Sequence, residues 1–191
     1  MCEKSNNLSV NCENSFINNL VLVNYCHQDC VPLMNIMRLP KNEAFELAKK
    51  MADAHPNTTA FYRFADFENY YELRKKQDEY LYSRFVELGG SPEEKHPLSF
   101  VIGGSEYLAE WFGRGIETKI HLKEIEPCHI SFTIGDSGAE FQKNHFVDLL
   151  TVKELNQRIA EHKGDFENFL KETGRQYIEV QLWSDKYIKT K

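Results

Sequence analysis

The chain has 191 residues, 41% of them hydrophobic and 27% charged, with 23 Lys plus Arg against 29 Asp plus Glu. A length of this order suits a single globular core with or without a tail, and a mean hydropathy of -0.54 with no apolar run near twenty residues excludes a helical membrane span. A formal charge of -6 and a pI near 5.7 argue against broad nucleic-acid binding, which depends on clustered cations.

Residues 1–36 differ in kind from the rest. Through residue 37 there are one Lys, no Arg, three acids and eight Asn. The apolar stretch from Phe16 to Tyr25 is broken by Asn18, Asn19 and Asn24 and lacks the cationic start and cleavage site of an export signal. Residues 1–36 are therefore expected to be a poorly ordered leader, or an extension upstream of a true start at Met34 or Met37, ahead of one domain over residues 37–191. Cys2, Cys12, Cys26 and Cys30 lie here and Cys128 stands alone downstream. An odd count without an export signal predicts reduced thiols in the cytoplasm. Cys26-His27-Gln28-Asp29-Cys30 offers ligand types, but no second closely spaced pair follows, so no metal is predicted.

From Leu39 the pattern is regular. Pro40 opens a helix with Ala44, Leu47, Ala48 and Met51 on one face, stopped by His55-Pro56-Asn57. Thr58 to Ala65 reads as a strand because Thr, Phe and Tyr cluster there. Asp66 caps a long helix from Phe67 to Leu88 that ends at Gly89-Gly90, with Lys75, Lys76, Asp78 and Glu79 on its solvated face. His96 to Ile102 is a predicted strand, turned by Gly103-Gly104 into a short helix that Ser105 caps; an anion could sit at that turn. Strands follow at Thr118–Leu122 and Ile130–Ile134. Gly135-Asp136-Ser137-Gly138 has the look of a serine-protease nucleophile but lacks triad partners, and reads better as an Asx-type loop ending a strand. Thr151-Val152-Lys153-Glu154 is a capping box opening a helix closed by Gly164, and a shorter helix runs from Phe166 to Thr173. The last strand spans Gln176 to Trp183, with Glu179 and Gln181 on one face and Ile178, Val180 and Leu182 on the other. Segregated helices and non-adjacent strands predict an α+β domain built on a mixed, mostly antiparallel sheet.

Phe61-Tyr62-Arg63 followed by Tyr70-Tyr71-Glu72-Leu73, then His96–Ile102 leading through Ser105 into Tyr107–Phe112, and Glu179 on a late strand, together resemble the ADP-ribosyltransferase-like superfamily over about residues 58–183. The resemblance departs from the family at Leu98-Ser99-Phe100, where a Ser-Thr-Ser triplet is usual, and at Tyr177, where Gln or Glu is common. It implies an ADP-ribosyltransferase-like fold, a toxin or modifying enzyme, NAD as substrate and a macromolecular acceptor, a protein by expectation. In that scheme Arg63 holds a phosphate of NAD, Ser99 supports the cleft or the glutamate, Tyr70 or Tyr107 stacks on nicotinamide, and Glu179 stabilises the cation left as nicotinamide departs. Ser105 joins them through the turn it caps, with His96 and Gln181 as further candidates. The competing reading is a non-enzymatic protein-binding or immunity-type module. A third is a hydrolase or nuclease acting through His96 and Asp136.

Overall fold

The computed structural model describes residues 16–188, so Cys2 and Cys12 lie outside the described residues. The fold is α+β. Among the described residues six α-helices are α1 (Lys41–Ala54), α2 (Phe67–Glu87), α3 (Glu106–Trp111), α4 (Ser137–Asn144), α5 (Val152–Glu161) and α6 (Phe166–Glu172). Six strands, β1 (Val21–Cys26), β2 (Leu98–Ile102), β3 (Ile116–His121), β4 (Ile130–Ile134), β5 (Leu149–Leu150) and β6 (Ile178–Leu182), form one sheet in the order β3-β1-β2-β6-β4-β5. Every strand pair is antiparallel.

The two faces of the sheet do different jobs, as period-two alternation requires. On one face Leu22, Phe100, Ile130, Phe132, Val180 and Leu182 meet Leu155 and Ile159 of α5 and Phe169 of α6 in the main core. The Thr151 capping box starts α5 as its sequence predicts, with both reciprocal bonds formed. The opposite face is partly polar and lies under α2. There Trp183 stacks on Phe85 with ring centroids 5.6 Å apart, and its Nε1 donates to Ser131 Oγ at 2.9 Å. α2 ends where Gly90 comes so close to Phe85 that an added Cβ would lie 2.6 Å from the ring.

Three expectations change. Thr58 to Ala65 is not a strand: Thr59–Asp66 winds as a 3-10 helix. Phe61 and Phe64 of that helix and Phe67, the first residue of α2, recur every three residues and lie along one side, with ring centroids of successive pairs 5.6 and 5.3 Å apart. The sheet also does not begin after residue 36. β1, drawn from the charge-poor segment, lies between β2 and β3, with Leu22 opposite Ile102 and Val21 opposite His121. Finally, Asp78 is not on a solvated face: its side chain is fully buried between Arg74, at 3.2 Å, and His96 Nδ1, at 2.7 Å.

Candidate functional site

A cleft of about 550 Å³ opens beside the polar face of the sheet, walled by β1, the 3-10 segment, the start of α2, β2, α3 and the residues flanking β4 and β6. Its size falls within the range of small-molecule and cofactor pockets. Arg63, Tyr70, Ser99, Tyr107 and Glu179 all line it.

Glu179 sits at the sheet's centre. It pairs with Thr133 of β4 on one side and Val101 of β2 on the other, which aims its side chain at the cleft. Its Oε2 accepts the Ser137 backbone N–H at 2.7 Å, and the Ser99 hydroxyl donates to Oε1 at 3.4 Å. Burial pushes the carboxyl up to about 7, and the neighbouring Asp136 adds to that; the Ser137 N–H and the Arg74 guanidinium pull the other way. A carboxyl raised in this way, by burial and a neighbouring acid inside a cleft, is a common mark of functional sites.

Two cations face this carboxylate pair. Arg63 Nε donates to the Tyr62 hydroxyl at 2.6 Å, and its guanidinium lies 5.4 Å from the Tyr62 ring and 5.8 Å from Tyr70. Burial opposes its charge, but Tyr62, Tyr70 and Asp136 hold its pKa above the ordinary arginine value. Arg74, one turn beyond Tyr70 on α2, also lines the cleft. Burial again opposes the charge, and Asp78, Tyr70, Glu179 and Asp136 secure it.

The remaining wall is aromatic. Tyr107 is stacked with Tyr177 at 6.4 Å and an interplanar angle of 17°, and it lies 5.7 Å from Trp111, which meets Tyr62 edge-on at 5.7 Å. Burial, followed by the negative charges of Asp136 and Glu179, raises the Tyr177 hydroxyl well above the usual tyrosine value. Asn24 of β1 donates through Nδ2 to the Ser99 carbonyl at 2.8 Å, tying β1 to β2 beside the cleft, and its buried Oδ1 has no hydrogen bond.

The comparisons add nothing to this geometry: no family model, curated protein or solved structure matches the chain.

Three sequence-derived candidates stand apart from the cleft. Ser105 caps α3, its Oγ accepting the Leu108 N–H and its own N–H donating to the Tyr25 hydroxyl at 2.8 Å, so its polar groups are already engaged. His96 is bound to Asp78 behind α2. Gln181 is buried, accepting from Ser131 Oγ at 3.0 Å and donating to Thr133 Oγ1 at 3.1 Å. Arg74, Asp136, Tyr177 and Asn24 are the cleft groups that the sequence did not single out for it. Asp136 was legible as a turn residue, and its side chain does accept the Ala139 N–H at 3.0 Å, but it does so as the N-cap of α4. Arg74 stands four residues before Asp78 on α2, the spacing of a helical ion pair, which is the one sequence signal that marks it.

Proposed function

We propose that the cleft binds NAD and breaks its nicotinamide–ribose bond, passing ADP-ribose to a protein acceptor or to water. The reading is carried by the convergence of Arg63, Tyr70, Ser99, Tyr107 and Glu179 on one cleft from segments far apart in the chain. Arginine suits a diphosphate because its planar fork can donate two hydrogen bonds to phosphate oxygens. The aromatic wall suits a flat heterocycle. As the C–N bond breaks, its electron pair leaves with the ring nitrogen and neutralises the pyridinium, while positive charge develops on the ribose. An ionised Glu179, fixed by Ser137 and Ser99, would stabilise that charge without reorganising. The acceptor's oxygen or nitrogen then bonds to the anomeric carbon and loses its proton.

The test is nicotinamide release from NAD by the full chain, with Glu179→Gln expected to lower the rate by about 10²–10³-fold, the scale for losing one electrostatic stabiliser. Unchanged turnover in that variant refutes the site. A protein-binding module is the second reading, favoured by the exposure of Val31, Met34, Tyr62 and Tyr107 around the same cleft. That reading predicts no heat of binding with NAD.

A further inference from the structure

Cys26-His27-Gln28-Asp29-Cys30 lacks a second ligand group nearby in sequence, and the fold supplies one from elsewhere. His55, the C-cap of α1, comes up against the turn that follows β1, so that ligand atoms of His27, Asp29 and His55 all lie within 4.8 Å of one another. We propose that these three side chains form a binding site for one divalent first-row transition ion of zinc's class.

The donor set is two imidazole nitrogens and one carboxylate oxygen, a combination suited to Zn²⁺ and its neighbours. A tetrahedral ion with bonds of about 2.0–2.1 Å needs donors roughly 3.3 Å apart. Asp29 Oδ2 stands 2.9 Å from His55 Nε2 and 3.8 Å from His27 Nδ1, distances that straddle that requirement. His27 Nδ1 also accepts the Asp29 backbone N–H at 3.3 Å. An ion at that nitrogen would take over the one lone pair that this long hydrogen bond uses, so binding exchanges the bond for metal ligation.

The scaffold around the triad is stiff. Phe61 packs on both imidazoles, at 5.3 Å from His27 and 5.5 Å from His55. Gly115 runs so close beneath the turn that an added Cβ would lie 2.3 Å from the Cys26 carbonyl oxygen and 2.7 Å from the Gln28 nitrogen. His27 is buried, whereas the Asp29 side chain is half-exposed, so an ion can enter from solvent and water can complete its coordination.

The experiment is calorimetric titration of the chelator-treated full chain with Zn²⁺, and with Co²⁺ read by absorption. One equivalent should bind with Kd at or below about 1 µM, a threshold well above adventitious surface binding. Asp29→Asn and His55→Gln should each weaken binding by at least about tenfold, the lower bound for disturbing a metal's ligand shell. Glu126→Gln, in the separate Glu126–Cys128–His129 cluster, should leave it unchanged. Asp29 is exposed enough for its Asn variant to fold, which circular dichroism verifies, and bound Zn²⁺ should raise the melting temperature of the wild type but not of that variant. Absence of stoichiometric binding, binding indifferent to Asp29→Asn and His55→Gln, or Co²⁺ bands showing thiolate ligation would each overturn the proposal.

Discussion

Replacing Glu179 by Gln removes a titration while keeping shape and an acceptor for the Ser137 N–H, and its effect on stability should depend on pH with a definite sign. Burial and Asp136 push the folded carboxyl up to about 7, against 4.5 for an ordinary glutamate. A raised pKa means that the native state binds the proton more tightly than the unfolded chain. The resulting stability is complete below about pH 4.5 and is lost as pH rises to and through 7. At about 1.4 kcal/mol per unit, the whole span is worth on the order of 3 kcal/mol. Glu179→Gln, neutral throughout, escapes this loss. Urea denaturation of both proteins should therefore find their stability difference moving in the variant's favour by up to about 3 kcal/mol between acid and mildly alkaline pH. The complementary variant Asp136→Asn removes the neighbouring charge that helps raise Glu179, so it should move the window to lower pH. Parallel stability curves for wild type and Glu179→Gln across this range would refute the electrostatic reasoning. In the wild type, nicotinamide release should rise as pH passes through about 7, because the proposed chemistry needs the carboxylate.

Trp183→Ala should cost about 3–5 kcal/mol by denaturant titration, because it empties a fully buried site and takes the ring from Phe85 and the indole donor from Ser131. Thr151→Ala should cost about 1 kcal/mol, measurable as a small drop in melting temperature, through loss of the α5 cap. Deleting residues 1–33 removes β1 from between β2 and β3 and should abolish cooperative unfolding in calorimetry; an unchanged melting temperature would refute β1's structural role.

Patterns that follow one period and end on a clear stop were legible. The extent of α2 up to its stop at Gly89-Gly90, the Thr151 capping box and the alternation of β6 all read correctly because local propensity and burial agree there. Where they diverge, reading fails. The aromatic content of Thr59–Asp66 suggested β structure, yet its period-three spacing suits a 3-10 turn packed on α2. β1 was hidden by Asn24 within it and by Asn18 and Asn19 just before it, yet Asn24 ties the strand to β2 through the Ser99 carbonyl. In the site, residues sharing one strand face, such as Glu179, were accessible to sequence reasoning. Arg74 was not, because a charged residue on a long helix is indistinguishable from a solvated one until the packing of that helix on the sheet is known. Conversely Gln181, correctly placed on the face of Glu179, is absorbed by Ser131 and Thr133.

The position of β1 also bears on how the chain is made. Among the described strands it is made before any other, but its partners β2 and β3 come much later in synthesis, with α1 and α2 intervening before β2. Until then both of its hydrogen-bonding edges are open, and Leu22 and Val23 stay uncovered on opposite faces. The nascent chain thus carries an unpaired apolar ribbon through much of its elongation, which makes early exposure, rather than the finished fold, the stage most open to misassociation and to protection by a holding chaperone.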